Sequence, residues 1–172
     1  MRLHGSLEIG GRHFVKGDYV SPLSIFPFFL LHMLGFGTSG FFIAYFLPAS
    51  AVPLLYAHGG LAIGIYLIFY LTIFGKETIK WLFINSTLGI FGVLAEIDFL
   101  LNQFGKSIYN FPYYISAIPT LYYILYTFLI RQAFLEFSGA TEDETKARRA
   151  EQLFVGCSVI LHLLAFLANH GF

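Results

Sequence analysis

Glu96 and Asp98 stand two residues apart in GVLAEIDFLLNQFGK, residues 92–106, a stretch that is otherwise almost wholly apolar. Two carboxylates this close suggest general acid–base chemistry. Helical geometry separates them, because two residues correspond to about 200° of rotation. Glu96 falls instead on a stripe with Asn85, Gly89, Gly92 and Gln103, at steps of 4, 3, 4 and 7. Such a small, polar face is expected to look into a helix bundle. Asp98 points away from it, shares a face with Asn102, and is expected near water.

The chain has six histidines. At a rise of about 1.5 Å per residue, His58 comes to the depth of Glu96, and His32 and His162 lie roughly 12–14 Å into their segments. His162 shares a face with Ser158, Ala165 and Asn169. Tyr122 and Tyr126, an i,i+4 pair, supply hydroxyls. Ionisable side chains inside a membrane are rare and mark ion, proton or substrate paths. The candidate ion, proton or ligand site is therefore Glu96, His58, His162, Asp98 and Tyr122. In it Glu96 exchanges a proton or pairs with a histidinium at His58 or His162. Each histidine alone also has a plainer reading, as a hydrogen bond between helices.

A bilayer must position these groups. Hydrophobic residues make up 57% of the chain and charged residues 12%, with a mean hydropathy of +0.72. Soluble domains carry about 25% charged residues, so this chain lacks the polar surface to cover a soluble globule. A net charge of zero argues against a nucleic-acid partner. The single cysteine, Cys157, excludes an internal disulfide and a cysteine-rich metal site.

A spanning helix needs about 20 predominantly apolar residues. Spans are expected at about 24–47, 53–74, 81–104, 113–134 and 150–170. The fifth helix is expected to start before its span, at a capping box with Thr141 as N-cap and Glu144 three residues later. With the N-terminus inside, Arg2, Arg12, Lys16, Lys76, Lys80, Arg131, Lys146, Arg148 and Arg149 are cytoplasmic, and only Lys106 is outside. That is a strong positive-inside bias. The expected fold is an all-α integral membrane protein, a five-transmembrane-helix bundle over residues 23–172, with the N-terminus cytoplasmic and the C-terminus outside. Residues 1–22 form a cytoplasmic N-terminal segment, with Gly10-Gly11 marking a short hairpin or an interfacial stretch. The expected location is a bacterial inner membrane or its equivalent. Leu47-Pro48-Ala49-Ser50-Ala51 has an A-x-A-like form, but the apolar run before it is too long for a cleaved signal.

Several motifs match in letters only. Gly35 to Gly40 reads GxGxxG but lies inside an apolar span, without the strand that dinucleotide binding requires. Gly35 with Ser39, and Gly60 with Gly64, are small-xxx-small pairs expected to pack helices. Asn85-Ser86-Thr87 is a sequon inside a span. HExxH, CxxC, P-loop and GxSxG motifs are absent, so no residue is assigned as catalytic and no metal is assigned.

Three functions remain open. The leading expectation is proton- or cation-coupled transport or proton relay through the His/carboxylate site, in a homo-oligomer or a larger membrane complex. The second is an electron-transfer anchor carrying haem b or quinone. Its candidate ligand pairs are His32 with His162 and His58 with His170, and an aromatic content of 19% suits such a pocket. The third is a structural or assembly subunit. A membrane enzyme acting on lipid has no motif behind it.

Overall fold

The computed structural model describes residues 1–9, 11–140 and 144–169. The side chains of Ile9, Trp81, Ile84, Asn85, Thr87, Leu88, Glu144, His162, Ala165 and Asn169 fall outside the description. The expected capping residue Thr141 and the candidate ligand His170 also lie outside the described residues.

Among the described residues, five α-helices follow a short hairpin. They are α1 (Pro22–Phe46), α2 (Val52–Phe74), α3 (Lys76–Asn102), α4 (Tyr113–Phe137) and α5 (Glu144–Asn169). The hairpin pairs β1 (Leu7–Ile9) with β2 (Arg12–Phe14), with Leu7 opposite Phe14 and Ile9 opposite Arg12. Among the described residues, four helical stretches are long and apolar enough to cross a membrane: Pro22–Phe46, Ala49–Phe74, Tyr113–Phe137 and Thr145–Ala168. The chain is thus a helical bundle with the makings of a membrane protein. α3 is not among the four, and it carries Lys76, Glu77, Lys80, Glu96 and Asp98 along its length.

Helix ends follow local chemistry. Pro22 occupies the first turn of α1, where a missing N–H costs nothing. Gly75 ends α2 and joins it directly to α3 with φ at +84°. A side chain there would also stand 2.8 Å from Nδ1 of His4, so the joint requires glycine twice over.

α4 is the hub, packing against each of the other four helices. Tyr70 of α2, fully buried, donates its O–H to the carbonyl of Leu125 at 3.0 Å, with Sδ of Met33 also within reach at 2.9 Å. One phenol therefore ties α2 to α4 and α1. Around it Phe74 packs edge-on to Phe128 at 5.4 Å, and Phe26 lies against Phe74 at 6.2 Å.

The small-residue pattern of α2 packs differently from expectation. Gly60 and Gly64 are exposed, and a Cβ at either would meet nothing within 4 Å. Gly59 makes the close approach, since a Cβ there would fall 2.2 Å from Cγ2 of Ile118. The reason is rotational: the buried face runs through Leu55, Gly59, Ala62, Tyr66 and Tyr70, and Gly60 is about 100° off it. Gly35 likewise has open space around it.

The two ends of the bundle are stitched differently. At one end the hairpin region docks on helix termini. His4 and Gly5 donate their N–H groups to Thr72 O at 2.9 Å, and the Met1 ammonium pairs with Glu136 at 2.9 Å. At the other end Tyr56 donates its O–H to Tyr114 O at 2.7 Å, and Lys106 Nζ donates to Tyr45 O at 2.7 Å. The first end thus gathers the start of the chain with the C-termini of α2 and α4. The second gathers the C-terminus of α1 with the N-termini of α2 and α4, so α1 runs opposite to α2 and α4.

α5 lies on the outside, packed mainly along α3, with an Arg131–Glu151 ion pair linking it to α4. None of its described residues is buried. Leu153, Val155, Leu161, Leu164 and Phe166 are exposed, as suits a helix whose surroundings are apolar.

Candidate functional site

α3 presents its carboxylates the other way round from the expected arrangement. Its buried face runs through Val93, Ile97, Asp98 and Leu101. Asp98, expected near water, is only 7% exposed. Of the expected inward stripe, Gly89 and Gln103 are exposed, Gly92 and Glu96 are half-buried, and the side chain of Asn85 lies outside the described residues. The branched aliphatic residues of α3 take the core, and the small polar stripe is rotated to its flank.

Asp98 is occupied by the chain that follows it. Its Oδ1 accepts the Ser107 hydroxyl at 2.8 Å and the Ile108 N–H at 2.8 Å, while Asn102 Nδ2 lies 3.4 Å from Oδ2. Ser107 in turn accepts the Tyr109 N–H at 3.4 Å and caps the short 3-10 turn Ile108–Asn110. Next to it Lys106 places its ammonium on the Tyr45 carbonyl at the C-terminus of α1 and over the Phe46 ring, 4.3 Å from its centroid. A cation there complements the helix dipole. The shared face of Asp98 and Asn102 is therefore real, but its work is to hold the α3–α4 loop closed.

Glu96 lies on the flank of the same helix. It is half-buried on α3, and its Oε2 has essentially no accessible surface. The helix that carries it packs along α5, the helix that carries His162. The side chain of His162 lies outside the described residues, as does His170.

His58 is tied to α1. Ser39 donates its hydroxyl to Phe36 O at 2.9 Å, so the same oxygen accepts from His58 Nε2–H, also at 2.9 Å. Phe36 stacks on the imidazole with centroids 5.1 Å apart. This is the helix-to-helix hydrogen bond that was the plainer reading of this histidine. His32 is exposed, with Nδ1 2.9 Å from Phe28 O and its ring 4.1 Å from that of Phe28. A carbonyl only accepts, so Nδ1 carries the proton. Each ring keeps one basic nitrogen, Nδ1 of His58 and Nε2 of His32. Both line one shallow groove between α1 and α2, with Gly35 and Leu31. Among the described residues no three His, Cys, Asp or Glu side chains group to hold a metal.

Tyr122 is buried at 3% exposure, and its hydroxyl has no partner among the described residues. Its ring meets Tyr66 edge-on at 6.3 Å and borders a cavity between α1, α3 and α4.

The chain matches no protein-family model, no curated protein and no solved structure. Its function must be read from its own residues.

Several important groups were not singled out from sequence. Ser107 directly follows the opening stretch, and a serine at a turn start after a helix was a usable signal, whereas Lys106 was read only as the one outer charge. Tyr70 gave none, because one phenol among eleven tyrosines carries no distinguishing pattern.

Proposed function

We propose that the protein is a five-span membrane protein, N-terminus in and C-terminus out, that relays protons or couples their movement to that of a cation through Glu96. The observation that carries this reading is the burial of a Glu96 carboxylate oxygen on a helix of the bundle. Asp98 engages three polar atoms of its own loop region, and Glu96 buries a carboxylate oxygen on a helix flank. An acid retained in an apolar segment is a functional group by default. His58 and His32, each with one basic nitrogen, supply further proton acceptors on the neighbouring α1–α2 pair.

The orientation is supported by charge. Arg2, Arg12 and Lys16 belong to the segment that docks on the ends of α2 and α4, whereas Lys106 sits at the opposite end with the terminus of α1. The positive-inside bias favours a cytoplasmic location for the first end. In this reading the fifth span is α3, with Lys76, Glu77 and Lys80 at its inner end and Glu96 and Asp98 near its outer one.

The test is proton flux into proteoliposomes loaded with a pH-sensitive dye and driven by a potassium diffusion potential. Wild-type protein is expected to acidify the lumen faster than empty liposomes. Equal rates would remove the proposal.

A further inference from the structure

The cavity between α1, α3 and α4 has a volume of about 380 Å³, within the ~300–1,000 Å³ typical of small-molecule sites. It lies on a different side of α1 from the His32–His58 groove, and none of its lining residues is Glu96, His58 or Asp98. Gly37 opens it from α1, where even a Cβ would touch the Tyr122 ring only at an ordinary 3.7 Å. Phe41, Phe42 and Phe104 supply phenyl walls, and Tyr122, Tyr123 and Tyr126 supply phenol walls.

Two features select the ligand. The walls are rings, and rings pack best against other rings in offset or edge-to-face contact. The same walls bear hydroxyl groups: Thr38, Tyr123 and Tyr126 line the space, and the Tyr122 hydroxyl is buried beside it without a partner among the described residues. Phenols are donors, and leaving such a donor unmatched in an apolar medium is costly. An acyl chain would fill the space but offer these hydroxyls nothing. A flat apolar ring bearing carbonyl oxygens would satisfy both features.

We propose that this pocket binds a membrane-dissolved quinone, with its ring among the aromatic side chains and a carbonyl oxygen accepting from a wall tyrosine. The proposal concerns binding alone and stands apart from proton movement through Glu96.

The test is equilibrium dialysis of a decyl-tailed benzoquinone against the purified full-length chain in nanodiscs. Decylbenzene, which has the ring and tail without carbonyls, and oleic acid, which has the chain without the ring, serve as comparison ligands. Wild-type protein is expected to bind the benzoquinone saturably and at least about tenfold more tightly than either, the worth of one or two well-made hydrogen bonds. Tyr122→Phe combined with Tyr126→Phe keeps the shape and is expected to erase that preference, and Gly37→Met is expected to block all three ligands. Absence of saturable binding by wild type, equal binding of decylbenzene, tighter binding of oleic acid, or an unchanged preference in the tyrosine double variant would each overturn the proposal. Should Gly37→Met fail to fold, the wild-type comparison and the tyrosine pair decide the matter alone.

Discussion

Oδ1 of Asp98 lies 2.8 Å from the backbone nitrogen of Ile108, ten residues further along the chain. One carboxylate thereby closes the loop that returns the chain from α3 to α4. Asp98→Ala removes the acceptor for this N–H and for the Ser107 hydroxyl, leaving buried donors unmatched. The expected loss is about 1–3 kcal/mol of stability, measured by denaturation in mixed micelles. Ser107→Ala removes one neutral hydrogen bond and should cost about 0.5–1.5 kcal/mol. Equal stability of Asp98→Ala and wild type would show that the carboxylate is not a structural anchor.

Lys106 braces the same end. Its ammonium serves the C-terminus of α1, which has no basic residue in its own last turn. Lys106→Met keeps most of the apolar stem and removes the charge. A loss of up to about 2 kcal/mol is expected, as for a partly buried cation at a helix C-terminus. A thermal melt unchanged by Lys106→Met would argue that the contact contributes nothing.

Gly59 and Ile118 set the distance between α2 and α4. Gly59→Ala places a methyl group into the Ile118 side chain and should cost about 1–3 kcal/mol through overpacking. Ile118→Ala on the same background should recover part of that loss, so a double-mutant cycle should give non-additive energies. Gly60→Ala and Gly64→Ala face open space and should be nearly neutral. A larger penalty at Gly60 than at Gly59 would reverse the assignment of the packed face.

The Ser39–His58 bond joins α1 to α2. Interhelical hydrogen bonds in membrane proteins average about 0.6 kcal/mol, and Ser39→Ala should cost about that much. A coupling near zero in the Ser39→Ala, His58→Ala cycle would mean that the two side chains act independently.

Much of the architecture was legible in the sequence. Each helix begins and ends within a few residues of its expected span, apart from extended ends on α3, α4 and α5, because apolar run length and proline or glycine punctuation carry that information locally. Gly10-Gly11 marked the hairpin for the same reason. Rotation about helix axes was less legible. Gly60 and Gly64 form a recognisable motif, yet Gly59 packs, since only the third dimension shows which neighbour fills the gap. Glu96 and Asp98 were correctly placed on different faces, but the buried face is that of Asp98, because its partners Ser107 and Ile108 fold back from a loop. Asp98→Asn and Glu96→Gln therefore ought to separate structure from function.

Proton flux through matched proteoliposomes of these two variants tests that division most directly. If Glu96 carries the proton, Glu96→Gln falls to the rate of empty liposomes while its melting temperature stays near that of wild type. Asp98→Asn melts earlier and still conducts when assayed below its transition. Normal flux in Glu96→Gln, or loss of flux confined to folded Asp98→Asn, would contradict the assignment.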